Sequence, residues 1–269
     1  MIKQTANFIK DKLGLVSPQT AIILGSGLGG FANVLENVTT LNYKDINGFP
    51  QSSVKGHKGE LIRGFIGNNE IICLNGRFHL YEGHDPKIIL DVIHILKELG
   101  VKRLIVTNAA GSLRKDIMPG SIMLIKDHIN FSGKNPLVGP NDESYGPRFP
   151  SMNNAYTLLL RKKCKDIAKN IGIELKEGVY LMVLGPNFET SAEIKAFQIL
   201  GADAVGMSTV PEVISASHCS MEVLGFSVIT NYGAGMVDNT PSHQETISEA
   251  NKASEKLIRL VTEFIKEGN

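Results

Sequence analysis

Short apolar runs alternate along the chain with longer stretches in which apolar residues recur every three or four positions. Runs at 20–24, 71–75, 103–108, 121–126, 180–184, 202–206 and 225–231 predict strands buried on both faces, because a half-exposed strand would alternate with period two. The longer periodic stretches predict helices over 86–100, 153–172, 190–201 and 210–225, several closed by a glycine after the last apolar residue. An amphipathic helix opens the chain at 1–14, and a longer one, 243–267, ends it. Strands and helices in this order specify an α/β fold: a mixed, largely buried β-sheet surrounded by helices, as one domain over residues 1–269.

Two segments break the pattern. Residues 130–153 hold four prolines together with Gly133, Gly139 and Gly146, too many for a helix or an interior strand. A loop this long inside a compact domain is either functional, or covered by a neighbouring subunit, or an inert excursion. Residues 232–242, rich in glycine and turn formers before the last helix, have the composition of a lid.

At 269 residues and 42% hydrophobic, the chain can bury a large core. Lys and Arg number 28 against 27 Asp and Glu, so no positive field exists to hold nucleic acid or an anionic membrane, and a small-molecule partner is expected. Cys73, Cys164 and Cys219 form an odd set without C-x-x-C spacing, which argues against a disulfide framework and a zinc site. Lys3, Lys10, Asp11 and Lys12 interrupt the first apolar stretch, so it is no secretory leader, and no run of apolar residues is long enough to span a bilayer. A cytoplasmic protein in a reducing compartment is the expectation.

The run at 20–24 feeds directly into Gly25, Gly27 and Gly30, the spacing of a dinucleotide fingerprint. That fingerprint also requires an apolar second strand ending in an acid about twenty residues on. Here Asp45 lies in a polar segment that leads to Gly48-Phe49-Pro50, so the context fails. A strand, a glycine loop and a helix N-terminus still offer converging N–H groups for one phosphate, with the Ser26 hydroxyl beside them. The same glycines equally suit a tight turn needed only for packing.

Polar residues gather at the ends of predicted strands, where open α/β sheets bind ligands. Arg77 and His79, two apart beyond the run at 71–75, point the same way if the chain stays extended, giving an anion a guanidinium fork and an imidazole donor. Tyr81, Glu82 and His84 come next along the chain. Small residues at 109–111 let backbone approach a ligand closely. Ser208 and Thr209 precede a helix and read as an N-cap at least as readily as ligand contacts.

In the order GSGLG, GHKGEL, GRFHLYEGH, TNAAGSL, DHINFSGKNPL, GPNDESYGPRFP, GPNFETSAEI, LGADAVGMSTVPEV and VITN, these segments resemble the purine nucleoside phosphorylases of the small-subunit, trimeric type, from about residue 20 to the C-terminus. The resemblance implies reversible phosphorolysis of purine ribonucleosides and deoxyribonucleosides to free base and α-pentose 1-phosphate, with no metal or organic cofactor and orthophosphate as co-substrate. It places Ser26, His57, Arg77, His79, the Ala109 backbone and Ser208 around phosphate. Glu189 then accepts from the purine N1–H and any 2-amino group, and Asn231 serves N7 and O6. Phe188 and Val205 pack on the base, Tyr81 and Met207 meet the ribose, His243 meets the 5′-hydroxyl, and Phe149 crosses into an adjoining site of a homotrimer. Ser112 stands where the family pattern has a second glycine, which disturbs no role.

Each assignment has a plainer alternative. Glu189 suits the first turn of the helix at 190–201 by charge alone, Ser242 and His243 suit a cap and an exposed first turn, and His84, His94, His128 and His218 match no ligand spacing. The related 5′-methylthioadenosine phosphorylases usually carry Asp where Asn231 stands, because a 6-amino group donates where a 6-oxo group accepts. Asn231 with Glu189 therefore favours inosine and guanosine. A binding module without turnover has no reason to keep Arg77, His79, Glu189 and Asn231 together.

Overall fold

The computed structural model describes residues 1–25, 28–50, 58–237 and 243–267, without the side chains of 243–250 and 252. Among the described residues nine strands form one sheet: β1 (Thr20–Ile23), β2 (Glu36–Asn42), β3 (Glu60–Ile66), β4 (Asn69–Asn75), β5 (Arg103–Ser112), β6 (Ile122–Asn130), β7 (Leu175–Met182), β8 (Ala204–Gly206) and β9 (Glu222–Tyr232). Their order is β2-β3-β4-β1-β5-β8-β7-β6-β9, and β9 also pairs with β5, so that five strands close into a ring. Strands β4, β1, β5 and β9 run parallel, while β8 is antiparallel to β5 and β6 is antiparallel to β9. The mixed, buried sheet expected from the pattern is present. Strands β2 and β3 are additions: β2 is an exposed, polar edge strand, and Arg63 with Gly64 interrupts the apolar run in β3.

Helices α1 (Ile2–Leu13), α2 (Pro86–Glu98) and α5 (Val210–His218) cover one face through Ile9, Leu13, Ile93, Leu96 and Val213. Helices α3 (Leu158–Asn170) and α6 (His243–Glu267) cover the other through Leu160, Ile167, Leu257, Leu260 and Phe264. Helix α4 (Ser191–Ile199) sits on a smaller cluster with Leu181 and Val205. Among the described residues no helix is long and apolar enough to cross a membrane.

Two helices are shorter than their periodicity predicts. Helix α5 stops at His218, not at Gly225, because Ser220 turns into the left-handed region at φ 56° and Met221 N–H returns to the Ala216 carbonyl. Gly225 lies inside β9, where the Tyr156 ring would be 2.8 Å from any Cβ, so this glycine answers packing and terminates nothing. Helix α3 begins at Leu158, whose N–H donates to Asn154 Oδ1, while Tyr156 just before it is fully buried.

The segment 131–153 contains no helix or strand, as its prolines require. Of the expected lid, residues 233–235 pack against the start of α4, with Gly233 facing Ile194 and Gly235 facing Ser191. Residues 238–242 lie outside the described residues.

Candidate active site

The glycine loop serves packing first. Gly25 N–H donates to Thr107 Oγ1 at 2.9 Å, and a Cβ on Gly25 would stand 2.5 Å from the Thr107 carbonyl oxygen and 2.6 Å from Asn108 Cα. The α-helix expected directly after this loop is absent. The loop leads into a six-residue 3-10 segment, Gly29–Val34, and not an α-helix, because the chain must turn at once into edge strand β2. Ser26 lies outside the described residues, as does His57. Gly25→Ala is expected to cost about 1–3 kcal/mol, since the clash is with backbone that has no flexible end to move. Thermal unfolding checks it, and a wild-type Tm would show that loop and strand do not touch this closely.

Strand β5 is the spine of the site. Its residues 107–111 rise roughly 3.3 Å each and so span on the order of 13 Å. Thr107 anchors one end: its hydroxyl donates to the Ile23 carbonyl at 3.1 Å, and its own carbonyl accepts from Arg77 Nη1 at 2.6 Å. Arg77, 2% exposed, also donates through Nε to Glu212 Oε1 at 2.8 Å, and Nη1 lies 3.5 Å from Ser208 Oγ. Two of the residues predicted to hold an anion, Arg77 and Ser208, are thus together, with the Ala109 backbone two residues beyond Thr107 along the spine.

The chain is extended at His79, and Phe78 between Arg77 and His79 packs on Tyr43 and Phe49, as alternation along an extended stretch demands. His79 is buried, its ring stacked 4.7 Å from Tyr81, and Glu82 Oε1 holds it twice, at Nδ1 (3.2 Å) and at its backbone N–H (2.9 Å). Burial, reinforced by Glu82, pushes the Tyr81 phenol above its ordinary pKa, so it enters any reaction as a neutral hydroxyl.

Ser208 and Thr209 do not form the N-cap that their position suggests. Thr209 occupies the cap position of α5 but makes no capping bond; its Oγ1 accepts from Asn108 Nδ2 at 2.8 Å and lies 3.1 Å from Ser208 Oγ. Thr209 is fully buried with φ 78°, a conformation costly for a β-branched residue and held only because both neighbours fix it. Tyr180 Oη accepts from the Ser208 N–H at 3.3 Å, which aims the hydroxyl further.

At the other end of the spine, β9 carries a bulge: Ala110 pairs with Ile229 but Gly111 with Asn231, leaving Thr230 as the extra residue. A bulge of this kind re-aims a side chain. Asn231 Nδ2 comes within 3.3 Å, and Val205 within 3.6 Å, of the place a Gly111 Cβ would take, so the glycine makes room for both. Thr230 Oγ1 donates to Asn231 Oδ1 at 2.8 Å, and Nδ2 donates one hydrogen to the Tyr232 carbonyl at 2.9 Å. The amide orientation is thereby set, with its second N–H outside these bonds.

Glu189, Phe188 and Met207 lie around the loop after β7, where Met207 Sδ fills the space beside Gly185. Glu189 is not in the first turn of α4. Thr190 is the N-cap, and Glu193 forms the capping box, its carboxylate accepting from Thr190 N–H at 2.7 Å. The helix therefore has its acid without Glu189, whose carboxyl burial pushes above the usual range, with Glu193 adding to the shift. Phe188 is 81% exposed and Phe149 88% exposed, so neither ring is buried within one chain. His243 opens α6, and its side chain lies outside the described residues.

Sequence reasoning gave no role to Glu212, Thr107, Asn108 or Glu82. Glu212 looks like an ordinary first-turn acid of α5, and only the tertiary pairing with Arg77 distinguishes it.

Residues 19–266 match the family model described as the phosphorylase superfamily. A purine nucleoside phosphorylase 1 of Geobacillus stearothermophilus is 46% identical over 98% of this chain and 96% of that protein. The Bos taurus purine nucleoside phosphorylase is 46% identical over 91% of this chain and 87% of its own length. The Schistosoma mansoni purine nucleoside phosphorylase solved with inosine superposes with a TM-score of 0.93 at 37% identity, covering 99% of this chain and 95% of that one. With this likeness over almost its whole length, the chain belongs to the purine nucleoside phosphorylases of the phosphorylase superfamily.

Proposed function

We propose that this glycosyl-transferring enzyme acts on 6-oxopurine ribonucleosides and deoxyribonucleosides, inosine and guanosine foremost, and needs orthophosphate but no metal or organic cofactor. The observation that carries the reading is β5 itself, with Arg77 and Ser208 against one end of residues 107–111 and the Asn231 amide against the other. Orthophosphate, held by Arg77, Ser208, His79 and the Ala109 N–H, attacks the anomeric carbon as the C1′–N9 bond breaks. Configuration inverts, and the bonding pair leaves with the purine. Positive charge grows on the sugar beside the bound anion, and negative charge on the base at N7, where the second N–H of Asn231 donates. Ser26 and His57 complete the anion pole in this reading, Tyr81 and Met207 contact the ribose, His243 the 5′-hydroxyl, and Val205 with Phe188 the base.

Glu189 selects the 6-oxopurine by accepting from N1–H. Loss of a charged acceptor is worth about 1.5–3 kcal/mol, so Glu189→Gln is expected to lower kcat/KM for inosine roughly 10- to 100-fold. Because the accepting form is the carboxylate and its pKa is raised, kcat/KM for inosine in the native enzyme should fall on acidification at a pH above the usual glutamate range. The Gln variant should lack that limb, and an unchanged profile would remove Glu189 from the site.

The exposed Phe149, on a long loop tied by Arg148 Nη1 to the Leu137 and Gly139 carbonyls, suits a homotrimer in which it closes a neighbour's pocket. The deciding assay measures hypoxanthine release from inosine with and without orthophosphate, alongside adenosine, which has been seen bound to the Schistosoma mansoni relative. Release that depends on phosphate is expected; equal release without it would make the enzyme a hydrolase and overturn the proposal.

A further inference from the structure

Away from the spine, α2 and the end of α5 bring together three residues that the reaction does not use. His94 is 6% exposed, His218 2% and Cys219 1%, and one ring nitrogen of each histidine lies with Cys219 Sγ in a group whose atoms are all within 4.8 Å of one another. The 130–153 loop covers them: Tyr145 stacks on His94 at 3.8 Å with the two rings nearly parallel, and its hydroxyl donates to Glu98 at 2.9 Å.

The neighbours of His218 fix its tautomer. Asn141 Nδ2 donates to the Gly146 carbonyl at 3.1 Å, which directs Asn141 Oδ1 at His218 Nε2, 2.9 Å away. An amide oxygen only accepts, so Nε2 carries the hydrogen and Nδ1 a lone pair. That Nδ1 is buried with no hydrogen-bond partner among the described residues, and so is His94 Nε2. Two dry imidazole nitrogens without partners beside a thiol are costly unless something binds them. The arrangement at His218 is that of a metal ligand whose second nitrogen is held by an outer carbonyl oxygen.

We propose that His94, His218 and Cys219 bind one thiophilic d10 cation, Cu(I) in preference to Zn(II). Binding replaces the Cys219 S–H bond by a metal–sulfur bond and releases that proton to solvent. Cu(I) with one thiolate and two neutral imidazoles is uncharged, which suits a buried site, and soft sulfur ligands favour it. Zn(II) would leave a net positive charge and calls for a fourth ligand, and no other Cys, His, Asp or Glu joins the group among the described residues. Burial, with His218 nearby, lowers His94 to a pKa of about 4 and also lowers His218, so both rings are neutral and ready to ligate at neutral pH. Because binding displaces the Cys219 proton, affinity should climb with pH. The bound ion would tie α2, α5 and the Phe149 loop together.

The test uses the full-length, reduced, chelator-stripped enzyme titrated with Cu(I) against a chromophoric Cu(I) chelator, and in parallel with Zn(II). One equivalent of Cu(I) per chain is expected for the native protein and for Cys164→Ser, a change on the buried side of α3. Cys219→Ser and His94→Gln should lose it, and Asn141→Ala should weaken it roughly 10- to 100-fold through His218. Inosine turnover and apo Tm report whether each variant folds. Independently of any variant, Cu(I) should slow alkylation of Cys219 in the native chain relative to Cys73 and Cys164. Failure to compete with the chelator, binding that survives Cys219→Ser, or unprotected Cys219 overturns the site; tighter Zn(II) at the same residues overturns the choice of ion.

Discussion

Asn231→Ala is expected to lower kcat for inosine about 10²- to 10³-fold while leaving Tm near the native value. The size comes from removing one preorganised donor aimed at charge that exists only in the transition state, worth roughly 3–4 kcal/mol of barrier. The unchanged Tm reflects what the side chain does at rest. Its two hydrogen bonds go to Thr230 and Tyr232, its immediate neighbours in β9, and it is only half-buried, so no distant element depends on it. Steady-state kinetics with inosine and phosphate, beside a thermal melt, separate the two quantities. A variant that turns over at the native rate would show that the bulge does not aim a catalytic group, and the leaving-base half of the mechanism would fall.

Glu212→Ala should do the reverse, reducing stability first. Arg77 and Glu212 are both almost fully buried and joined at 2.8 Å, and Glu212 Oε2 has no further hydrogen bond among the described residues. Removing one partner of such a pair typically costs about 3–5 kcal/mol, because the other charge is left in a medium that cannot solvate it. For a chain of this size each kcal/mol moves Tm by roughly 2–4 °C, so a fall on the order of 10 °C is expected. The KM for orthophosphate should rise as well, since Arg77 loses the bond at Nε that orients its fork, while the contact from Nη1 to the Thr107 carbonyl holds one side of it. A melt at the native temperature would show that the pair is not buried as described.

Both expectations concern residues whose chemistry the chain displays very differently. Asn231 stands at the end of an apolar run in a specific motif and can be picked out by eye. Glu212 is one acid among 27 acidic residues, at a helix start where acids are common. Its partner lies 135 residues away, a distance along the chain that no local pattern encodes. The same contrast holds for His94, His218 and Cys219, whose spacing argues against a metal site until α2 and α5 pack side by side.

Local sequence determined the seven apolar strands, the helices between them and the loop that could be neither, because hydrophobic period and the backbone limits of proline and glycine act within a few residues. It also determined the family, since Arg77, His79, Ser208, Glu189 and Asn231 sit at strand and helix ends whose motifs are distinctive. Only the tertiary structure decided the polar edge strand β2, the early stop of α5, the bulge that presents Asn231 opposite Gly111, and the strained Thr209 beside Ser208. Those features arise from long-range pairing and from the volume left between packed side chains, quantities that depend on which distant segments meet.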